Sequence, residues 1–155
     1  MAEKCVAVLG TLDTKGPEYE YLLARLRVLG LKPVMLDISC KEATAWPADC
    51  SCYDVAAAAG RNFATLGPLS KTEAGKVMVQ GAVTLLRRME LQGDLGGIMA
   101  MGGANGTLLV CEVMKAFPIG LPKLVVSVMA AGDPRTNAGT KDIVLINSVM
   151  DLCLN

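Results

Sequence analysis

The residues best suited to chemistry form a glycine-rich run at 99–107, Met-Ala-Met-Gly-Gly-Ala-Asn-Gly-Thr, which joins an apolar strand pattern to a helical pattern. Glycines leave backbone N–H groups uncovered, and the following helix directs the positive end of its dipole to the same place, which suits an anion such as phosphate. We therefore expect a phosphorylated ligand to contact Gly102, Gly103, Asn105, Gly106 and Thr107. Alternatively, the glycines only permit a tight turn, and Asn105 or Thr107 caps the helix.

Two further loops are rich in glycine and polar residues, at 10–16 and at 127–140. Lys15 in the first loop either neutralises a phosphate or is a solvated loop lysine. The glycine-rich run itself is not a P-loop, because no Lys-Ser or Lys-Thr follows the glycines at the required spacing. The candidate ligand contacts in these two loops are Gly10, Thr11, Asp13, Thr14, Lys15, Ser127, Gly132 and Thr140.

Asp37 ends the second predicted strand, about 20 residues beyond the first loop. Dinucleotide-binding folds place a ribose-binding carboxylate at that position, so Asp37 is a candidate contact for the ribose of a nucleotide. The alternative is that Asp37 simply terminates its strand.

Catalytic and metal-binding patterns are weak. The chain has six cysteines and no histidine, which excludes an ordinary Ser-His or Cys-His nucleophile and weighs against a structural zinc site. Asp133 and Asp142 could share magnesium, but the turn chemistry around them favours a solvated loop. We expect no metal ion held by the protein alone.

The surrounding pattern predicts the elements that position these residues. Short apolar runs predict strands at 5–9, 33–38, 96–101, 123–128 and 143–146, and helical periodicity predicts helices at 17–29, 53–59, 70–92 and 107–117. Ser70 with Glu73 predicts a capping box. Strands that alternate with helices indicate an α/β fold: one Rossmann-like parallel sheet of about five strands, with helices on both faces, in a single domain of residues 1–155.

In such sheets ligands bind beyond the carboxyl ends of the strands. The loops at 10–16, 102–107 and 127–140 each follow a predicted strand, so we expect all three to lie at one edge. The connections at the other edge, near 30–32 and 120–122, are short and chemically plain. This asymmetry predicts one composite ligand site.

Composition limits the partners. With 15 basic and 15 acidic residues the formal net charge is zero, so nucleic acid is not an expected partner. No run reaches the ~20 apolar residues of a membrane span, and no signal peptide opens the chain, so we expect a cytoplasmic protein without membrane contact. The hydrophobic fraction of 52% leaves room for a buried interface, either in a homo-oligomer or with a second α/β domain.

Six segments, at 10–15, 102–107, 118–123, 127–132, 139–142 and 148–155, occur in the order of one known pattern. Together they resemble the ATP-binding domain family of the tomato mosaic virus resistance protein and its bacterial and fungal relatives. The resemblance implies an N-terminal Rossmann-like subdomain that binds ATP, with or without magnesium, and a second α/β region beyond this chain. Ala104 and Asn105 replace a serine and a glycine of the family, and Val128 replaces a hydroxyl residue.

Three functions compete at this point. The first is nucleotide binding, with the phosphates on the glycine-rich turns. The second is half of an enzyme acting on a phosphorylated or carboxylated metabolite, whose catalytic groups are completed by another domain or partner. The third is a non-catalytic module that dimerises.

Overall fold

A five-stranded, all-parallel sheet forms the centre of the molecule, as the sequence predicts. The computed structural model describes residues 4–133 and 135–149. The strand order is β2-β1-β3-β4-β5, so the direction in which strands are added reverses between β1 and β3. The strands are β1 (Cys5–Gly10), β2 (Lys32–Asp37), β3 (Leu95–Gly102), β4 (Lys123–Ser127) and β5 (Ile143–Ile146).

In the part of the chain that the structure describes, five helices connect the strands. Ser70 begins the longest of them with the predicted capping box: its hydroxyl accepts from the Glu73 N–H at 3.2 Å, and the Glu73 carboxylate accepts from the Ser70 N–H at 3.0 Å. No helix in residues 4–133 and 135–149 is long and apolar enough to span a membrane. The helices are α1 (Leu12–Val28), α2 (Cys52–Ala58), α3 (Lys71–Leu91), α4 (Ala104–Lys115) and α5 (Arg135–Ala138), with 3-10 turns at Phe63–Leu66 and Val128–Ala131.

The two faces of the sheet are covered unequally. Alternate strand residues such as Leu9, Leu36 and Ala100 join the larger core with α2, α3 and α4. Val8 and Met35 point to the other face and form a smaller core with α1. Helices therefore lie on both faces, as predicted, but α1 is the only helix of the smaller core among the described residues.

One predicted helix start is wrong, and another follows an interruption. Helix α1 begins at Leu12, but its backbone is not helical at Lys15 (φ −134°, ψ 30°), so an irregular first turn precedes the helix that the sequence predicts from Pro17. The interruption follows from Pro17, which has no N–H to donate to the carbonyl of Asp13 and whose ring crowds the preceding turn. Helix α4 begins at Ala104, three residues before the predicted start.

The segment 127–140 does not stay at the carboxyl edge of the sheet, contrary to expectation. After β4 a 3-10 turn and α5 return the chain toward the amino ends of the strands. Gly139, at φ 59°, and Thr140 come just before β5, whose first residue Ile143 pairs with Lys123 at the start of β4. Thr140 therefore lies at the opposite edge from the glycine-rich turn.

Helices α2 and α3, which carry the chain from β2 to β3, meet at Gly81, where an added Cβ would overlap the carbonyl oxygen of Val55. The carbonyl group of Val55 is part of the backbone of α2 and cannot rotate away from the added methyl group as a side chain could. We therefore expect Gly81→Ala to lower the free energy of unfolding by about 1–3 kcal/mol in urea denaturation. Gly67→Ala is the matched control, since nothing lies within 4 Å of its added Cβ. Equal effects of the two substitutions would contradict the close approach.

Candidate functional site

Tyr19 forms the floor of the candidate site, at the point where β1 and β3 diverge. Its hydroxyl accepts from the Met101 N–H at 3.1 Å, and its one proton is shared between the carbonyl oxygens of Leu9, at 2.6 Å, and Met101. The ring is fully buried, and this burial raises the pKa of the phenol. Tyr19 is therefore a neutral tie between the two central strands.

Gly10 has a packing role on this floor. An added Cβ at Gly10 would overlap the ring of Tyr19. The absence of a side chain at Gly10 is thus explained by the tyrosine, without a ligand.

The start of α1 is held by the carboxylate of Asp37. This side chain is 3% exposed, and its Oδ1 accepts from the Leu12 N–H at 3.3 Å and from the N–H and hydroxyl of Ser39 at 3.0 and 2.5 Å. The Ser39 oxygen in turn accepts from the Asp13 N–H at 3.1 Å. The first N–H groups of α1 are therefore already bonded, and a carboxylate lies at the positive end of its dipole.

Asp13 carries a buried carboxylate oxygen, Oδ1, that has no hydrogen-bond partner among the described residues. Desolvation raises the pKa of this carboxyl group, and the nearby charge of Asp37 adds to the effect, while Ser39 partly opposes it. Unsatisfied buried oxygens are uncommon in folded proteins, and carboxylates with a raised pKa are frequent at functional sites. Asp13 is therefore a carboxyl group at the start of α1 that keeps one buried oxygen without a hydrogen-bond partner among the described residues.

Cys40 lies beside the two aspartates but is a poor nucleophile. Burial and the charges of Asp13 and Asp37 raise the pKa of its thiol to about 11. The thiol is thus protonated near neutral pH.

The start of α4 differs from that of α1. Gly103 is the N-cap residue, and no described side chain caps the helix, so the predicted capping by Asn105 or Thr107 is wrong. The first N–H groups of a helix have no partner within it. Asn105 is exposed in this first turn. Among the described residues, no side chain therefore bonds to the first N–H groups of α4, which remain available at the crevice.

Gly102 and Gly106 lie at the same place, and an added Cβ at either would meet the described residues only at ordinary contact distance. An added Cβ at Gly102 would come no closer than 3.9 Å to another atom, and one at Gly106 would lie 3.9 Å from the hydroxyl oxygen of Thr11. Neither residue has a positive φ. Contacts within the described protein and backbone conformation therefore do not require glycine at either position, and the starts of α1 and α4 face each other here.

Thr107 and Ser127 are both fully buried, and their hydroxyl groups bond to each other at 2.6 Å. The Thr107 hydroxyl also donates to the Gly103 carbonyl at 2.8 Å, and the Ser127 oxygen accepts from the Met129 N–H at 3.0 Å. These hydroxyls join α4 to the end of β4. Their side chains are engaged inside the protein.

The other predicted contacts divide between the two edges of the sheet. Thr11 and Thr14 lie at the rim of the crevice with their hydroxyl oxygens 3.1 Å apart, and half-buried Lys15 follows at the interruption of α1. Gly132 is exposed after the 3-10 turn that follows β4. Thr140 lies at the far edge, as described above.

Asp133 and Asp142 do not form the shared magnesium site that the sequence left open. Asp133 pairs with Arg135 at 2.9 Å, whereas Asp142 pairs with the buried Lys123 at 2.8 Å beside the start of β5. Within residues 4–133 and 135–149, no three His, Cys, Asp or Glu side chains are grouped to hold a metal ion.

Sequence reasoning missed a cavity of about 220 Å³ between α1 and the segment 46–49. Leu12, Gly16 and Trp46 line it, and an added Cβ at Gly16 would overlap the indole of Trp46. None of residues 102–107 lines this cavity, so it is separate from the glycine-rich turn. No sequence pattern signals it, because it depends on a tryptophan thirty residues from the glycine that it covers.

The sheet order and the glycine-rich turn at its switch point define a Rossmann-like α/β domain. The chain belongs to the uncharacterised protein family UPF0261, whose N-terminal domain matches residues 4–155. It is 32% identical over 152 residues to a UPF0261 protein of Clostridium tetani and 33% identical over 149 residues to one of Rhizobium meliloti. Each match covers 96% of this chain and 37% of the relative, so the chain spans well under half of their length.

A plant protein is also similar. The ToMV resistance protein Tm-1 of Solanum lycopersicum is 27% identical over 168 residues, which cover 96% of this chain and 22% of the plant protein. The predicted family resemblance is confirmed.

We expect Tyr19→Phe to lower the free energy of unfolding by about 1–3 kcal/mol, because the buried backbone groups of β1 and β3 lose their shared partner. Tyr21→Phe is the control, since Tyr21 is 62% exposed on the same helix. Urea denaturation measures both variants. If the free energy of unfolding fell no more in Tyr19→Phe than in Tyr21→Phe, the hydrogen-bonded link between β1 and β3 through Tyr19 would be contradicted.

The raised pKa of Asp13 predicts a pH effect. The folded protein holds this proton more tightly than the unfolded chain does, so the group's contribution to stability falls as pH rises from 3.8 through the higher folded pKa. Asp13→Asn lacks that fall, so its stability relative to the natural protein should increase between about pH 3 and pH 7.

Asp133→Asn is the opposite control for this experiment, because hydrogen bonds from Arg135 lower the pKa of Asp133. Its stability relative to the natural protein should decrease as pH rises toward 3.8, the ordinary value, and stay level well above it, as urea denaturation at each pH would show. Parallel pH profiles for the natural protein and Asp13→Asn would contradict the assignment.

Proposed function

We propose that the protein binds a nucleotide, with its phosphates on the first turn of α4. One observation carries the proposal: neither packing nor backbone conformation requires glycine at Gly102 and Gly106, beside a helix start that no described side chain caps, at the point where strand order reverses. Backbone N–H groups at such a helix start suit phosphate. ATP is the nucleotide that the family resemblance indicates.

The electrostatics of the crevice support one orientation of the ligand. The N–H groups that open α1 are bonded to Asp37 and Ser39, and Asp13 adds a second carboxyl group there. Phosphate is repelled from that side and attracted to α4. The ribose hydroxyls then lie toward Thr11 and the aspartates, which accept hydrogen bonds.

We place this activity in the cytoplasm. Five described cysteines, Cys5, Cys40, Cys50, Cys52 and Cys111, are free thiols, which suits a reducing compartment.

Isothermal titration with ATP, with and without magnesium, tests the proposal directly. In thermal unfolding, ATP at about 100 times its dissociation constant stabilises the folded state by about 2.7 kcal/mol. If millimolar ATP produced no binding heat and no thermal stabilisation, that result would contradict ATP as the ligand. The same experiment with other nucleotides then tests the class.

Gly106→Ala separates binding from folding, because its two effects have opposite signs. Alanine should stabilise α4 by about 0.5–1 kcal/mol, since its Cβ has room and glycine costs helix entropy. The same Cβ occupies the space beside the phosphates, so we expect affinity for ATP to fall about tenfold or more.

Gly67→Ala, far from the crevice in sequence and with open space around its Cβ, should leave the affinity unchanged. Titration calorimetry and urea denaturation of both variants measure the two effects. An unchanged ATP affinity in Gly106→Ala would show that the phosphates do not bind at this turn.

The unsatisfied Asp13 oxygen favours a second candidate function, half of an enzyme for a phosphorylated or carboxylated metabolite. A carboxyl group with a raised pKa holds its proton to a higher pH than an ordinary carboxyl group and can donate it to a ligand, and another region would supply the remaining groups. Turnover that Asp13→Asn abolishes without loss of ligand affinity would support this function. Equal turnover in both proteins would exclude Asp13 from the chemistry.

A further inference from the structure

Two rows of apolar side chains cross β3, β4 and β5 on the face of the sheet that carries α1. The strand register aligns Met99 with Leu124 and Leu124 with Val144. One step toward the carboxyl edge, it aligns Met101, Val126 and Ile146 in the same way. We call the following six residues the open sheet face: Met99, Met101, Leu124, Val126, Val144 and Ile146.

Helix α1 covers only one side of the open sheet face. Met99 and Met101 pack against the core that α1 forms, whereas Val144 is 53% exposed and Ile146 is 44% exposed. On the opposite face of the same strands, Val125 is fully buried under helices. A strand face that stays in water is normally polar, and parallel sheets are normally covered on both sides.

We propose that the open sheet face binds the polypeptide region that follows this domain in the longer family members and is joined to it. About three-fifths of the Clostridium tetani relative lies outside the matched region, since the match covers 37% of it. Strand β5 ends at Ile146, which is itself part of the open sheet face, so a following segment starts beside the surface that it would cover.

The size of the open sheet face favours this occupant over a second copy of the chain. A stable complex of separate proteins usually involves roughly 20–30 residues on each side. Six apolar residues fall well short of that. A region of the same polypeptide avoids most of the entropy cost of association and is held by a smaller contact.

The docked region would also adjoin the crevice. Met101 and Val126 each immediately precede a residue at the carboxyl edge, Gly102 and Ser127, beside the start of α4. A docked region therefore has direct access to the glycine-rich turn. The proposal does not depend on which ligand binds there.

Photo-cross-linking tests the proposal in cells that express the protein from its natural gene. The photoreactive residue p-benzoylphenylalanine replaces Val144 or Ile146, and mass spectrometry identifies the cross-linked peptides. We expect peptides homologous to the part of the Clostridium tetani relative that lies beyond the match. The matched control replaces Leu29, which is 69% exposed at the end of α1, and should give none of them.

Two outcomes would overturn the proposal. Peptides only from residues 4–149 of a second copy would identify a homodimer. No peptides above the level of the Leu29 control would show that the face stays open to water. The melting temperature of each substituted protein, unchanged from that of the natural one, separates these outcomes from misfolding. Val144→Lys with Ile146→Lys should remove the cross-link from a probe at Val126.

Discussion

The divergence of β1 and β3 at their carboxyl ends is the constraint on which the site depends. Because the helices after these strands lie on opposite faces of the sheet, the last backbone groups of the two strands need a partner that neither strand supplies. The phenol of Tyr19 takes that position between Leu9 and Met101. It closes the floor of the crevice, and it also determines that residue 10 has no side chain.

Local patterns predicted most of the fold. The five strands follow from apolar runs, and the capping box at Ser70 follows from two residues three positions apart. The error at Thr140 has a physical cause: α5 is four residues long, too short to show helical periodicity, yet it is enough to return the chain to the other edge. The early start of α4 escaped prediction because glycine and asparagine have low intrinsic helix propensity.

The candidate site was predictable in position but not in its internal bonding. A glycine-rich turn after a strand indicates where an anion can bind, whichever residues lie nearby. The bonds of Asp37 to Leu12 and of Thr107 to Ser127 join residues 20 or more positions apart, and only the folded sheet brings them together. Likewise, the high apolar content indicated a surplus of hydrophobic surface without saying that it lies over β3 to β5.

The starts of α1 and α4 differ in charge and hydrogen bonding, so the two ends of the crevice have opposite polarity. The end at α1 carries carboxylates and N–H groups that are already hydrogen-bonded. At the other end, no described side chain caps the start of α4, where the helix dipole is positive. A molecule that bridges the two meets opposite polarity over a short span. For the ligand site proposed above, this polarity favours molecules that are anionic at one end and rich in hydrogen-bond donors at the other over small anions that are charged at both ends.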